Sequence, residues 1–259
     1  MEINRRGIEL IAGLRAEYPD LEVTASGAIG PRSDAYRPAT IDPIQSYEEY
    51  HAEQIPALAD AGAESINALT LTNVAEATGI ARAARRVGIP VVISFTLETD
   101  GCLPTGHTLR EAIEFVDAAT GAVPEYYMVN CAHPSHVAAA LTDGPWRERL
   151  RGIRANASSK SHAELDATTI LDDGDPHALG RELVALRRRL PELRVLGGCC
   201  GTDLRHVEAL AEVCTARGSE FVRRVRERIP ELVVGVLAFG MYGFLAFTLS
   251  HAFEAPTLV

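Results

Sequence analysis

The sequence contains very little lysine and few aromatic residues. Lys160 is the only lysine among 259 residues, and aromatic residues make up 6% of the chain. The net charge is −10, and no arginine-rich run is interleaved with aromatic side chains. A nucleic-acid partner therefore has little electrostatic support, and we expect a small-molecule ligand instead.

Cysteine is also scarce, and its count is odd. The five cysteines are Cys102, Cys131, Cys199, Cys200 and Cys214. The N-terminus, "MEINRRGIELIAGL", lacks the apolar core and small-residue cleavage site of a secretory signal. We therefore expect reduced thiols and a cytoplasmic location.

The chain shows no internal repeat, but short apolar runs rich in β-formers alternate with longer stretches of helical periodicity. The predicted strands lie within 21–31, 64–71, 90–98, 125–133, 150–158 and 194–202. The predicted helices are 4–17, 44–62, 74–87, 108–120, 176–190 and 203–217. This alternation predicts an α/β fold with a parallel sheet, because each parallel connection needs a crossover.

Two parallel architectures fit that pattern, a doubly wound sheet and a (β/α)₈ barrel. In "SGAIGP", Gly27 and Gly30 match the nucleotide-binding Gly-x-Gly-x-x-Gly turn poorly. Barrel enzymes carry their chemistry where the strands end. The unusual residues fall at such positions, namely Asn130, Cys131, Asn156, Cys199 and Cys200. We therefore predict a TIM-barrel-like fold.

The segment "LGGCCGT" places two adjacent cysteines among three glycines, Gly197, Gly198 and Gly201. Neighbouring side chains on a regular strand point to opposite faces, so Cys199 and Cys200 converge only where the backbone leaves strand geometry. Glycine permits that departure. Together with Cys131, these thiolates would form three legs of a tetrahedral Zn²⁺ site with an open fourth position, which indicates catalysis.

Three other interpretations of these cysteines stay open at this point. Cys131 taken alone is typical of a small buried apolar residue. Cys199 and Cys200 could form a vicinal disulfide, which would be strained. His133 could turn inward as a fourth ligand, which would make the zinc structural.

The segments "MVNCAHP" (residues 128–134) and "GGCCGT" (residues 197–202) resemble the homocysteine S-methyltransferase family of zinc-dependent (β/α)₈ enzymes. "GAIGP" is similar to that family's Gly-Ser-x-Gly-Pro turn, and the resemblance spans residues 21–214. It implies that Cys131, Cys199 and Cys200 are the zinc ligands and catalytic centre. It also implies that Asn130, Asn156 and Gly27 contribute to substrate binding, and that homocysteine accepts a methyl group from an onium donor, giving methionine.

The sequence departs from this family at two places. Leu69 stands where the family carries a glutamate for the ammonium group of the amino acid, and Glu98 and Asp100 are the nearby carboxylates. The family's first two strands have no counterpart before residue 21. We therefore expect an incomplete barrel over residues 1–220 with six of eight strands, either a fragment or a homo-oligomer that covers its exposed edges.

Residues 221–259 form a separate predicted region. Residues 232–250 read "LVVGVLAFGMYGFLAFTLS" and carry no charge, which predicts an apolar helix long enough to cross most of a bilayer. The preceding "RRVRER" would hold its cytoplasmic side. The alternative is an apolar helix buried against the open barrel or a partner subunit.

Two functions compete with a zinc-dependent S-methyltransferase. One is a zinc-binding relative or truncated fragment without transferase activity, which both departures from the family would suit. The other is a lyase that uses Lys160, which follows a predicted strand, as a Schiff-base lysine.

Overall fold

Six parallel strands form a curled half-barrel in the protein. The structure, a computed structural model, describes residues 2–19, 22–36, 40–214, 248–250 and 257–258. The strands stand side by side in chain order: β2 (Ser26–Ile29), β3 (Ser65–Leu71), β4 (Val91–Phe95), β5 (Tyr127–Ala132), β6 (Leu150–Ala155) and β7 (Val195–Gly198). The predicted α/β fold with an incomplete TIM barrel is confirmed.

Helices connect these strands and cover their outer face. They are α1 (Glu2–Glu17), α2 (Ile44–His51), α3 (Gln54–Asp60), α4 (Val74–Val87), α5 (Leu109–Thr120), α6 (Pro134–Ala140), α7 (His162–Asp166), α8 (Pro176–Arg189) and α9 (Leu204–Cys214). A 3₁₀ helix, Pro145–Arg149, precedes β6. The Asn73 side chain accepts from the Glu76 N–H at the start of α4, and Gly88 ends that helix in the left-handed conformation.

The two faces of the sheet differ in composition. Alternate residues of each strand pack outward against the helices, as Ile153 and Ala155 of β6 do in the main apolar core. A separate, smaller cluster contains Val92, Met128 and Val195 from three different strands. Because successive strand residues face opposite sides, this smaller cluster belongs to the concave interior of the half-barrel. The remaining interior positions are free to carry polar groups.

The predicted helix 44–62 is wrong as a single element, because the structure has two helices separated by a turn at Ala52 and Glu53. The cause is Pro56, which has no N–H to bond the carbonyl one turn earlier. Pro56 fits within the first turn of α3, where backbone N–H groups have no helical partner in any case.

Two short strands lie near the C-terminus. The strand β8 (Thr248–Ser250) pairs antiparallel with β1 (Glu22–Thr24), and β9 (Thr257–Leu258) pairs in parallel with β7. The predicted apolar helix is therefore wrong for its last three residues, which make ladder hydrogen bonds instead. The rest of that prediction, residues 232–247, and the predicted boundary near residue 220 lie outside the described residues. None of the helices that the structure describes has the length and apolar character needed to span a membrane.

Candidate metal centre

Three cysteine thiols converge at the carboxyl ends of β5 and β7. The Cys131 Sγ lies 2.7 Å from the Cys199 Sγ and 3.9 Å from the Cys200 Sγ. All three sulfur atoms lie within 4.8 Å of one another, so a single metal ion can contact them together. Cys131 is buried and Cys200 is exposed, which leaves one side of the group open to a ligand. The four cysteines whose side chains the structure describes are free thiols.

The backbone of Cys131 has an unusual conformation that aims its sulfur at the other two. Its φ of 53° lies in the left-handed region, which is disfavoured for a residue with a Cβ. Its carbonyl oxygen accepts hydrogen bonds from the His162 Nε2 at 2.7 Å and the Thr96 Oγ1 at 3.4 Å. Tertiary contacts therefore hold Cys131 in a conformation that the isolated strand would not adopt.

A tight turn after β7 presents the other two cysteines. The strand ends at Gly198, and the Thr202 hydroxyl donates to the Cys199 carbonyl at 2.7 Å. Gly201 has a φ of 77°, and a Cβ on it would lie 2.8 Å from the Asp172 carbonyl oxygen. The turn therefore requires glycine at this position. The backbone leaves strand geometry here, as the sequence predicts.

The predicted site residues Asn130 and Asn156 lie beside the cysteines and hold them. The Asn130 Nδ2 donates to the Cys131 Sγ at 3.3 Å and to the Thr70 Oγ1 at 2.7 Å, while its Oδ1 accepts from the Thr70 N–H and the Ser94 hydroxyl. The Asn156 Oδ1 accepts from the Cys200 N–H at 3.1 Å. Both amides orient cysteines of the group, and their predicted contribution to substrate binding stays a prediction.

The three thiols share charge unequally. Hydrogen bonds from the Cys199 and Cys200 thiols hold the pKa of Cys131 well below its ordinary value. The converse applies to Cys199, because the hydrogen bond it gives to Cys131 raises its pKa well above the ordinary value. Cys131, the most buried of the three cysteines, is therefore the first to lose its proton.

Tyr36, His162 and Glu98 complete the surroundings of the cysteines, and the first two carry no local signal in the sequence for this position. The Tyr36 hydroxyl hydrogen-bonds Cys131, and burial, followed by the charge on Cys131, raises the pKa of Tyr36. The Tyr36 ring lies 4.4 Å from the His162 ring, and the His162 Nδ1 faces the Glu98 Oε1 at 3.1 Å. Glu98 therefore contacts His162 and does not contact the cysteines directly. Asp100 is exposed, and its carboxylate accepts a hydrogen bond from the Cys102 N–H.

Other predicted residues lie apart from the cysteine group. A Cβ on Gly27 would lie 2.8 Å from the Leu58 Cδ1, so Gly27 faces α3 rather than the cysteines. His133 caps α6 and contacts Ser135, and it does not belong to the metal-ligating group found among the described residues. The Nζ of Lys160 is ion-paired with Asp172 at 2.9 Å, and its side chain is half exposed.

The contact between His162 and the Cys131 carbonyl leads to a first prediction. We expect His162→Ala to weaken metal binding about 10- to 100-fold, the usual effect of removing a group that orients a ligand. His162→Gln should retain more affinity, because its amide N–H can still donate to that carbonyl. Competition with a chromophoric chelator measures both, and His177→Ala, an exposed histidine on α8, is the control. Equal affinities in all four proteins would contradict the role.

Comparisons with known proteins agree with this geometry. The chain resembles solved structures of the homocysteine methyltransferase MmuM from Escherichia coli. The apo form is 21% identical over 82% of this chain and 73% of that chain, with a TM-score of 0.62. The metallated form is 22% identical over 81% and 69% of the two chains, with a TM-score of 0.61. These likenesses establish the fold.

Sequence comparison identifies the family. No curated protein sequence shows significant similarity to the chain. Residues 1–214, however, match the family described as homocysteine S-methyltransferase, and that range includes every strand of the half-barrel and all three clustered cysteines. The chain therefore belongs to the homocysteine S-methyltransferase family and is a methyltransferase.

Proposed function

We propose that the protein is a zinc-dependent S-methyltransferase that moves a methyl group from an onium donor to a thiol such as homocysteine, giving methionine. The observation that carries this proposal is the convergence of Cys131, Cys199 and Cys200 within 4.8 Å at the catalytic end of the strands. Family membership supports the reaction class.

The donor set fits zinc better than harder cations. Three soft thiolate ligands are typical of Zn²⁺, whereas Mg²⁺ and Ca²⁺ take oxygen ligands. Three protein ligands rather than four are typical of a catalytic zinc, which keeps one position for the substrate. The exposed side of Cys200 is consistent with entry from solvent. Bound zinc would supply the positive charge that keeps the acceptor's sulfur deprotonated near neutral pH.

The reaction itself is a displacement at carbon. The acceptor thiol loses its proton to solvent, and its sulfur forms a bond to the methyl carbon of the donor. The bond between that carbon and the sulfonium sulfur or ammonium nitrogen breaks, and its electron pair stays on the leaving group, which becomes neutral. The protein has to hold the attacking sulfur in line with the methyl group, and positioning of this kind contributes much of the rate.

The chain's own residues provide that positioning. Asn130 holds the Cys131 sulfur, and Asn156 holds the backbone of Cys200, so the ligands are fixed before the substrate enters. The Tyr36 hydroxyl reaches the group from the loop after β2 and hydrogen-bonds Cys131. These contacts keep the site rigid on one side and open on the other.

The test of the function is methyl transfer with and without metal. We expect transfer to homocysteine from S-methylmethionine, betaine or S-adenosylmethionine, and we expect complete removal of zinc to reduce it to background because the thiol is then mostly protonated. Adding zinc back to the stripped protein should restore the rate. Transfer that continues at the original rate after complete removal of zinc would overturn the mechanism.

X-ray absorption separates this proposal from a zinc-binding relative without activity. The number of sulfur atoms around zinc rises from three to four on addition of homocysteine only if the thiol enters the open position. A count that stays at three would support the non-catalytic alternative. The measurement does not depend on knowing the methyl donor.

A further inference from the structure

Arg154 is a buried arginine in the interior of the half-barrel. Its neighbours Ile153 and Ala155 belong to the outward-facing apolar core, so the alternation of β6 directs Arg154 to the opposite, concave side. Only 7% of Arg154 is exposed. This is an unusual place for a group that is always charged.

The charge of Arg154 has no carboxylate partner among the residues that the structure describes. Its one hydrogen bond there runs from Nε to the Gly198 carbonyl oxygen at 3.4 Å, which is long. The two terminal guanidinium nitrogens have no such bond to the described residues. Neither of these nitrogens is fully enclosed, so a ligand can reach them, and proteins normally pair a largely buried cation with an anion. The planar end of Arg154 is therefore suited to bind an anion that enters the interior, and a carboxylate matches its two parallel N–H groups.

Strand register places this cation directly beneath the cysteine site. Arg154 is paired in register with Asn130 of β5 on one side and with Gly197 of β7 on the other. Asn130 immediately precedes Cys131, and Gly197 stands two residues before Cys199. A ligand whose sulfur lies among the cysteines therefore has its other end within the same part of the interior as Arg154.

The side chain of Asn67, which also faces this interior, has one polar atom without a partner among the described residues. The Asn67 Nδ2 donates to the Ser26 hydroxyl at 2.9 Å, but its buried Oδ1 accepts no hydrogen bond from the described residues. Leu69, two residues further along β3, is buried and cannot bind an ammonium group. Among the residues that the structure describes, Arg154 thus offers an unpaired cation to the interior and Asn67 an unpaired neutral acceptor.

We propose that Arg154 binds the carboxylate of the thiol acceptor, so that this one residue makes the site discriminate against thiols that lack a carboxylate. The inference rests on the proposed function and adds to it the residue that holds the carboxylate of the acceptor. The unpartnered Oδ1 of Asn67 faces the same interior and is the acceptor available to the ammonium group of the ligand. Arg154 thereby acts as a specificity-determining residue.

Two thiols that differ in one group test the proposal. Homocysteine and 3-aminopropanethiol share the thiol and the amine, but only homocysteine has the carboxylate. Calorimetry on zinc-loaded protein gives the dissociation constant of each. We expect the wild-type protein to bind homocysteine at least about 30-fold more tightly, the scale of a buried charge-assisted pair. We expect Arg154→Gln to remove this preference while the affinity for 3-aminopropanethiol changes by less than about twofold.

The controls separate the possible failures. Arg151→Gln removes an equal charge from an exposed position of the same strand and should keep the preference, and Arg154→Lys should restore part of it. Equal binding of the two thiols by the wild-type protein would overturn the inference even if the variants were unstable. So would an equal loss of affinity for both thiols in Arg154→Gln, because Arg154 would then serve the cysteine group itself. If the wild-type protein bound neither thiol, the proposed function would fail and the inference with it.

Discussion

Cys131→Ser is expected to lower the zinc affinity of the protein about 100- to 1,000-fold. Structural zinc sites with four ligands bind with about 10 to 16 kcal/mol, so each ligand contributes about 2.5 to 4 kcal/mol. Serine is nearly isosteric but offers a neutral hydroxyl, and the site would keep only Cys199 and Cys200. The affinity is measured by competition with a chromophoric chelator, and metal content by elemental analysis.

The matched control for that experiment is Cys102→Ser. Cys102 is a free, partly buried thiol outside the metal-ligating group, so its substitution should leave affinity unchanged. We expect Cys199→Ser and Cys200→Ser to behave like Cys131→Ser. Stoichiometric zinc in Cys200→Ser under mild chelation would show that the assigned ligand set is wrong.

Glu76→Ala is expected to destabilise the protein by about 3 to 5 kcal/mol, because it removes a buried carboxylate that two other polar groups contact and leaves a cavity in its place. Glu76 is fully buried, and its Oε1 accepts from the Arg32 N–H at 2.6 Å and faces the His51 Nε2 at 2.9 Å. The substitution leaves both groups without this acceptor. It also removes the contact between Glu76 and Arg32, which holds the loop after β2. Tyr36 lies on this loop.

Thermal unfolding measures the effect of that substitution. We expect the midpoint to fall by about 10 °C, given about 2 to 4 °C per kcal/mol for a chain of this size. Glu49→Ala on the exposed face of α2 is the matched control and should change the midpoint by less than about 2 °C. A Glu76→Ala midpoint within that same narrow range would contradict the assigned role of the buried pair.

The features of the fold and site that the sequence predicted are those encoded locally. Alternating apolar runs indicated the parallel strands, and glycines around Cys199 and Cys200 indicated the turn after β7. Asn130 was identifiable because it adjoins a predicted ligand. Each of these signals is contained in a segment of about ten residues, where pattern and propensity are informative.

The features that the sequence did not reveal depend on contacts between distant segments. His162 lies 31 residues from Cys131 along the chain, and it contacts the Cys131 carbonyl only because the loop after β6 folds back over β5. Tyr36 reaches the site from the loop after β2. The sequence around Arg154 does not show which face of the sheet this residue occupies. The burial of its neighbours in the structure shows that it faces the interior. The break after α2 was an exception, because Pro56 was a visible local signal.

The separation of the clustered cysteines along the chain would link metal binding to folding. Cys131 and Cys199 are 68 residues apart, so an unfolded chain must close a long loop before both sulfurs can reach one ion. The entropy of that closure costs about 4 kcal/mol for a loop of this length. In the folded half-barrel, β5, β6 and β7 lie side by side, so the loop is closed before the ion binds. The ion should therefore bind the folded chain in strong preference to the unfolded one, and its concentration would then regulate how much of the protein is folded.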